Sequence, residues 1–161
     1  MGRVVSLSQL QTELNSRRKM SPRKPPRVVF TNGCFDILHV GHARYLRDAR
    51  ELGEILVVGV NSDASVKMLG KGDDRPIQTQ DDRAELLSLL GAVDFVVVFD
   101  ESTPEKLIEA VEPDVLVKGG DWKPEQILGS KFVLARGGKV QSLKFHPGHS
   151  TTKLLERMGE R

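Results

Sequence analysis

Two histidines, His39 and His42, stand three positions apart in the run Thr31-Asn32-Gly33-Cys34-Phe35-Asp36-Ile37-Leu38-His39-Val40-Gly41-His42. At a helix start that spacing brings both rings to one face. Gly41 between them carries no side chain that would block an incoming anion, and Gly33 allows a tight turn and close backbone approach. The first turn of a helix adds unpaired N–H groups and the positive end of the helix dipole. Together these groups suit a polyanion whose charge rises during reaction, as in phosphoryl or nucleotidyl transfer. An isolated histidine pair more often marks two ordinary surface residues. A metal set of Asp36, His39 and His42 is a further alternative. The stretch lacks the glutamate of a zinc-protease helix, so no metal site is assigned.

Two other stretches carry chemistry. Ser150-Thr151-Thr152 follows Pro147-Gly148-His149 and opens a helical segment. Its hydroxyls and free N–H groups suit phosphate oxygens, although a plain helix cap uses the same residues. Lys118-Gly119-Gly120-Asp121-Trp122 ends an apolar run with two glycines. It offers backbone against which a base or sugar lies, with Asp121 to accept hydroxyl hydrogen bonds; the alternative is a simple turn with a partly buried Trp122. Lys67, Lys71 and Arg75 surround a glycine-rich loop that either closes over phosphates or is merely a charged solvent loop. Cys34 reads as a packed loop thiol, since a nucleophilic role needs an adjacent base.

The elements that position these residues are legible from periodicity. Val28-Val29-Phe30-Thr31, Ile55 to Val60, Phe95 to Phe99, Asp114 to Lys118 and Val140 to Phe145 are short apolar runs, read as five strands. Between them lie helical stretches at 40–52, 63–69, 83–90 and 130–136, one opened by Ser102-Thr103-Pro104-Glu105, and a last one at 150–158. Strands alternating with helices predict an α/β fold, a Rossmann-like parallel five-stranded sheet with helices on both faces in a single domain. Continuous apolar strands fit a sheet covered on both sides. Ligands in such sheets bind beyond the carboxyl ends of the strands, and that is where the three chemical stretches fall. Residues 1–26 read as an N-terminal helix with Leu7, Leu10 and Leu14 at helical spacing, capped by Ser6 or Ser8, and then a basic proline-containing linker. Residues 27–161 read as the catalytic domain.

Bulk properties narrow the function classes. The 161 residues carry a net charge of only +2, which argues against a broad nucleic-acid footprint. The basic residues between Arg17 and Arg27 read as a solvated linker. A single cysteine excludes an internal disulfide and suits a reducing cytoplasm. No run approaches the length of a membrane span, and the N-terminus has no secretory core. The first loop lacks the GxGxxG of a dinucleotide-dependent oxidoreductase.

These stretches, in this order, resemble the cytidylyltransferase-like branch of the HxGH nucleotidyltransferases, and within it the stand-alone form of the adenylyltransferase domain of ADP-heptose synthases. The residues that carry the resemblance are Phe30 to His42, Val60-Asn61-Ser62-Asp63-Ala64-Ser65-Val66, Arg75-Pro76-Ile77, Val117 to Asp121 and Ser150-Thr151-Thr152. The resemblance implies transfer of AMP from ATP to a heptose 1-phosphate, giving ADP-heptose and pyrophosphate. It implies His39, His42 and Lys71 as catalytic groups. Thr31, Asn32, Gly33, Phe35, Gly41, Lys67, Lys118, Gly119, Ser150, Thr151 and Thr152 would bind the nucleotide. Asp36, Asp121 and Arg75 would face the sugar phosphate, with Asp36 alternatively bracing the histidine loop. Mg2+ would be carried mainly by the ATP phosphates. The family further implies a cytoplasmic homodimer and a heptose kinase on a separate chain. Gly120 stands where the glycerol-phosphate branch has an acidic residue, while Pro147-Gly148-His149 departs from the acidic residue and Gly-Cys pair more common in the heptose branch. The alternatives are a cytidylyltransferase acting on glycerol 3-phosphate or another alcohol phosphate, and a non-catalytic nucleotide-binding module.

Overall fold

The five runs read as strands, joined by a short N-terminal segment, fold into six parallel strands. A computed structural model describes residues 1–70, 72, 74–144 and 151–159, without the side chains of 152, 153 and 157. In chain order the elements are β1 (Arg3–Val4), α1 (Leu7–Met20), β2 (Val28–Gly33), α2 (Val40–Arg50), β3 (Ile55–Asn61), α3 (Asp63–Met68), α4 (Gln80–Ser88), β4 (Phe95–Phe99), α5 (Glu105–Val111), β5 (Val115–Gly119), a short 3-10 turn (Pro124–Gln126), α6 (Ser130–Ala135), β6 (Lys139–Leu143) and α7 (Thr151–Gly159). The sheet order is β1-β4-β3-β2-β5-β6, and every neighbouring pair is parallel. The architecture is the expected Rossmann-like sheet with one strand more than the five predicted. That strand, β1, is two exposed residues paired with Phe95 and Val96, too short to show any apolar alternation.

Side-chain alternation divides the core into two layers. Val28, Phe30, Ile55, Val57, Phe95 and Val97 face α1, α5 and α6. Val29, Leu56, Val58, Val60, Val96 and Val117 face α2 and α4. Continuous apolar strands therefore bury both faces, as their sequences require. The Leu7, Leu10 and Leu14 stripe of α1 belongs to the first layer, with Leu10 and Leu14 almost wholly buried. Ser6 caps this helix reciprocally with Gln9, and Arg17, Arg18 and Lys19 sit at its negative dipole end.

Two helix starts differ from their sequence readings. Helix α4 begins at Gln80, three residues before the expected Arg83, because the Thr79 hydroxyl accepts from the Asp82 amide. Helix α5 begins only at Glu105, with Pro104 at the cap position and no hydroxyl cap from Ser102. Among the described residues no helix is long and apolar enough to cross a membrane.

Strand order also dictates where a ligand fits. From β2 the chain runs to β3 and β4 on one side and returns to β5 and β6 on the other. The switch point lies between β2 and β5. There the backbone pairing covers only Val29 with Val115 and Phe30 with Leu116, although β2 continues to Gly33 and β5 to Gly119. The two strands part beyond Phe30. Tyr45 of α2 stands at the opening, its hydroxyl 2.6 Å from Thr31 Oγ1 and hydrogen-bonded to the Gly119 backbone. Burial raises the Tyr45 phenol to about 12, against the opposing pull of those two hydrogen bonds. Tyr45→Phe is expected to lower stability by about 1 kcal/mol, since it strands the buried Thr31 hydroxyl. Urea unfolding reads this directly, and an unchanged midpoint would show that the hydroxyl pair contributes nothing.

Candidate active site

The loop from Cys34 to His39 runs from the end of β2 into α2, and its backbone is unusual. Phe35 (φ 50) and Ile37 (φ 58) both adopt the left-handed region. For L-residues other than glycine this costs roughly 1–2 kcal/mol each, most plainly for a β-branched side chain. Such a conformation persists only where the surroundings over-determine it. Here each turn of the loop is fastened. Cys34 O accepts from Arg83 Nη1 at 2.6 Å. Asp36 O accepts from the Thr151 hydroxyl at 3.0 Å. The Ile37 amide donates to Gln78 Oε1 at 2.9 Å. The Asp36 carboxylate, buried within the loop, accepts from the amides of Ile77 (2.9 Å) and Gln78 (3.0 Å) and pairs with Arg75 Nε at 2.7 Å.

The result is a stacked imidazole pair at the N-terminus of α2. The rings of His39 and His42 lie 3.9 Å apart between centroids and 21° from parallel. Phe35 meets His42 edge-on at 5.5 Å. Gly33 leaves room for that phenyl ring, since a Cβ there would approach Phe35 Cε2 to 3.1 Å. Burial, and then the neighbouring His39, push His42 down to about 4, so the ring is neutral near pH 7. Its Nδ1 is buried without a hydrogen-bond partner among the described residues. Gly41 is buried in the first turn, and His39 occupies the cap position without a side-chain cap bond; the amides of His42 and Ala43 donate to His39 O, which leaves those of Val40 and Gly41 available to an anion.

The remaining sequence-derived residues fall as follows. Thr151, in the first turn of α7, touches the histidine loop, so the first and last chemical stretches meet. Ser150, Lys71 and the Thr152 side chain lie outside the described residues, as do Pro147-Gly148-His149. Thr31 is fully buried with its hydroxyl on Tyr45, so only its backbone reaches the strand end, while Asn32 is half-buried. Lys67 is exposed in the last turn of α3. Lys118 and Gly119 are half-buried at the end of β5, and Asp121 is exposed. Trp122 is 48% exposed, more open than its sequence reading, with its indole N–H on Gly119 O. Gly120 adopts φ 122 and donates to Leu143 O. Cys34 is buried, with its thiol 4.0 Å from Asn61 Oδ1. Among the described residues no group of three or more His, Cys, Asp or Glu is arranged to hold a metal ion.

One residue escapes sequence reasoning altogether. Arg83, on α4, has no exposed surface, yet its guanidinium donates to four groups: Cys34 O, Asn61 O at 2.8 Å, Gln78 O at 3.0 Å and Asp63 Oδ1 at 2.7 Å. The available signal was its spacing from Leu87, which puts it on the buried stripe of the helix.

Comparison with known proteins gives the family and the fold. A family model described as cytidylyltransferase-like matches residues 30–157. The Bifunctional protein HldE of a Nitratiruptor species is 57% identical over 84% of this chain and 28% of its own length. That of Proteus mirabilis is 52% identical over 90% of this chain and 30% of its own. The chain thus spans less than a third of these curated relatives. Among solved structures, the lipopolysaccharide core biosynthesis protein from Thermoplasma volcanium superposes with a TM-score of 0.62 at 32% identity, covering 75% of this chain and 97% of that one. Pantothenate synthetase from Thermus thermophilus shares the fold alone, with a TM-score of 0.56 at 20% identity, covering 88% of this chain and 61% of that one.

Proposed function

Because the chain belongs to the cytidylyltransferase-like family, we propose that it transfers AMP from ATP to a heptose 1-phosphate, releasing pyrophosphate. The observation that carries this reading is the stacked His39–His42 pair at an uncapped helix N-terminus. The surface-glycan setting is supported by the likeness to the HldE proteins and to the lipopolysaccharide core biosynthesis protein from Thermoplasma volcanium. Gly120 adds support, because φ 122 suits glycine and strains the acidic residue that the glycerol-phosphate branch carries there.

The chemistry follows from what the site offers. An oxygen of the sugar 1-phosphate attacks the α-phosphorus of ATP in line. The new P–O bond forms as the bond to the β-phosphate bridging oxygen breaks, and pyrophosphate leaves with its electron pair. The attacking oxygen is already anionic, so no protein base is needed. Catalysis is therefore positioning and charge stabilisation. The rings of His39 and His42 donate N–H bonds to the α-phosphate and the bridging oxygen as charge builds there. The N-termini of α2 and α7, with Ser150, Thr151 and Thr152, hold the outer phosphates. Lys67, Lys71 and Lys118 offset the pyrophosphate charge, and Arg75 and Asp121 face the sugar phosphate. Asp36 braces the loop, since both its oxygens are engaged by Ile77, Gln78 and Arg75. With that carboxylate occupied, Mg2+ fits as an ion held by the nucleotide phosphates and water, where it would neutralise phosphate charge. The protein works as a homodimer in the cytoplasm, and a heptose kinase supplies its substrate.

A product assay tests the reading. The protein is incubated with Mg2+ and either ATP with heptose 1-phosphate or CTP with glycerol 3-phosphate, and products are identified by mass. ADP-heptose is expected from the first mixture only. CDP-glycerol would replace the substrate assignment, and no nucleotidyl product from either would remove the enzymatic one.

A further inference from the structure

The histidine loop turns left-handed twice and is held by partners from several segments. Arg83 differs from the others in reaching beyond the loop. Its Nη1 holds both Cys34 O and Asn61 O, its Nε holds Gln78 O, and its Nη2 holds the Asp63 carboxylate. These acceptors belong to three arms of the site. Cys34 leads into His39 and His42. Asn61 and Asp63 close β3 and open α3, which carries Lys67 in its last turn. Gln78 ends the segment that begins at Arg75, and its side chain and amide hold Ile37 and Asp36. Arg83 shares the buried face of α4 with Ala84 and Leu87, so this helix is its rigid base.

We propose that Arg83 is a positioning residue for nucleotidyl transfer, its guanidinium setting the histidine pair at a fixed place relative to the Lys67 and Arg75 arms. This rests on the nucleotidyltransferase reading above. Arg83 has no exposed surface and does not touch substrate; it acts through the three backbone carbonyls and the carboxylate it holds. A planar guanidinium meets four acceptors in different directions at once. A lysine ammonium keeps the charge but presents its donors from a single point, so it cannot reproduce that span. Charge and geometry are thereby separable by one substitution.

R83K is compared with the wild-type protein by circular dichroism, by steady-state kinetics and by NMR of the histidine ring protons across pH. A folded R83K is expected to lose about tenfold in kcat with KM for ATP changed by less than about threefold, the pattern of misplaced rather than missing groups. The His42 ring is expected to titrate higher than about 4, toward 6.5, as the loop relaxes and solvent reaches it. A folded R83K with wild-type kcat and an unmoved His42 titration overturns the proposal, as does a rise in KM at unchanged kcat. Should R83K fail to fold, D63N serves instead. Asp63 is partly solvent-exposed, and its loss frees one end of the guanidinium, for an expected drop of about threefold in kcat with the same histidine shift. Unchanged values in a folded D63N also overturn it. The ring titration needs no turnover. If the wild-type protein makes no nucleotidyl product, the functional reading fails while the NMR arm still decides whether Arg83 sets the histidine pair.

Discussion

His42→Ala is expected to lower turnover by about a hundredfold while leaving the protein folded, the usual cost of removing one preorganised donor from a charge-developing oxygen. The ring stacks on His39 at 3.9 Å and meets Phe35 edge-on, so its position is fixed before any ligand arrives. It is neutral near pH 7 because burial, and then His39, hold it at about 4. A neutral ring donates one N–H without the desolvation cost of a buried cation. Because that bond strengthens as the reaction proceeds, kcat and kcat/KM should fall together and KM should change little. The same shift makes a stability prediction. The unfolded chain titrates near 6.5, so between 6.5 and about 4 the unfolded state binds more protons than the native one. The contribution of His42 is complete above 6.5 and declines as pH falls toward 4, and the alanine variant should lose that part of the slope. Steady-state kinetics with urea unfolding at several pH values measures both, and a folded variant with near-normal turnover would exclude His42 from the transition state.

Asp36→Ala is expected to cost about 3 kcal/mol of stability at pH 7, in the range for breaking a buried ion pair from one side. The carboxylate is almost wholly buried and satisfies two amides and Arg75 at once. Burial alone would raise its pKa, but the amides of Gln78 and Ile77 and the charge of Arg75 outweigh it and hold the group below 3.8. The stabilisation is therefore present above 3.8 and is lost as pH falls through the lower native value. The gap between wild type and variant should narrow in strong acid. Activity should fall too, since the same contacts hold Ile37 and the loop that carries the histidines. Asp36→Asn keeps the shape and one acceptor, and should fall between the two. Equal urea midpoints for Asp36→Ala and wild type at pH 7 would show that the clamp is not a stabilising element.

The parts of this structure that a sequence reader finds are those with period. Val28 and Phe30 against Val29, or Ile55 and Val57 against Leu56 and Val58, announce strands covered on both faces. The Leu10 and Leu14 stripe announces a buried helix face. The histidine pair and the Thr151 helix start were legible because their residue types suit phosphate at helix ends. What stayed hidden depends on long-range partners. Strand β1 has only two residues, and its pairing with β4 is not written in either. From its sequence Asp36 suits a sugar-phosphate ligand, with a brace as the alternative; its bonds from the Ile77 and Gln78 amides are visible only in the fold. Arg83 carries a charge, which ordinarily marks a solvent-facing helix position. Only the fold shows three carbonyls and a carboxylate converging on it.

The early parting of β2 from β5 has a bearing on how the proposed nucleotide would arrive. The gap is a property of the resting backbone, with Gly119 already held by β6 and Thr31 by Tyr45. A molecule entering it ruptures no interstrand pairing and meets walls that are already in place. Recognition at this end of the sheet would thus be closer to a key entering a cut lock than to a hand closing on its object, with adaptation left to the side chains at the rim.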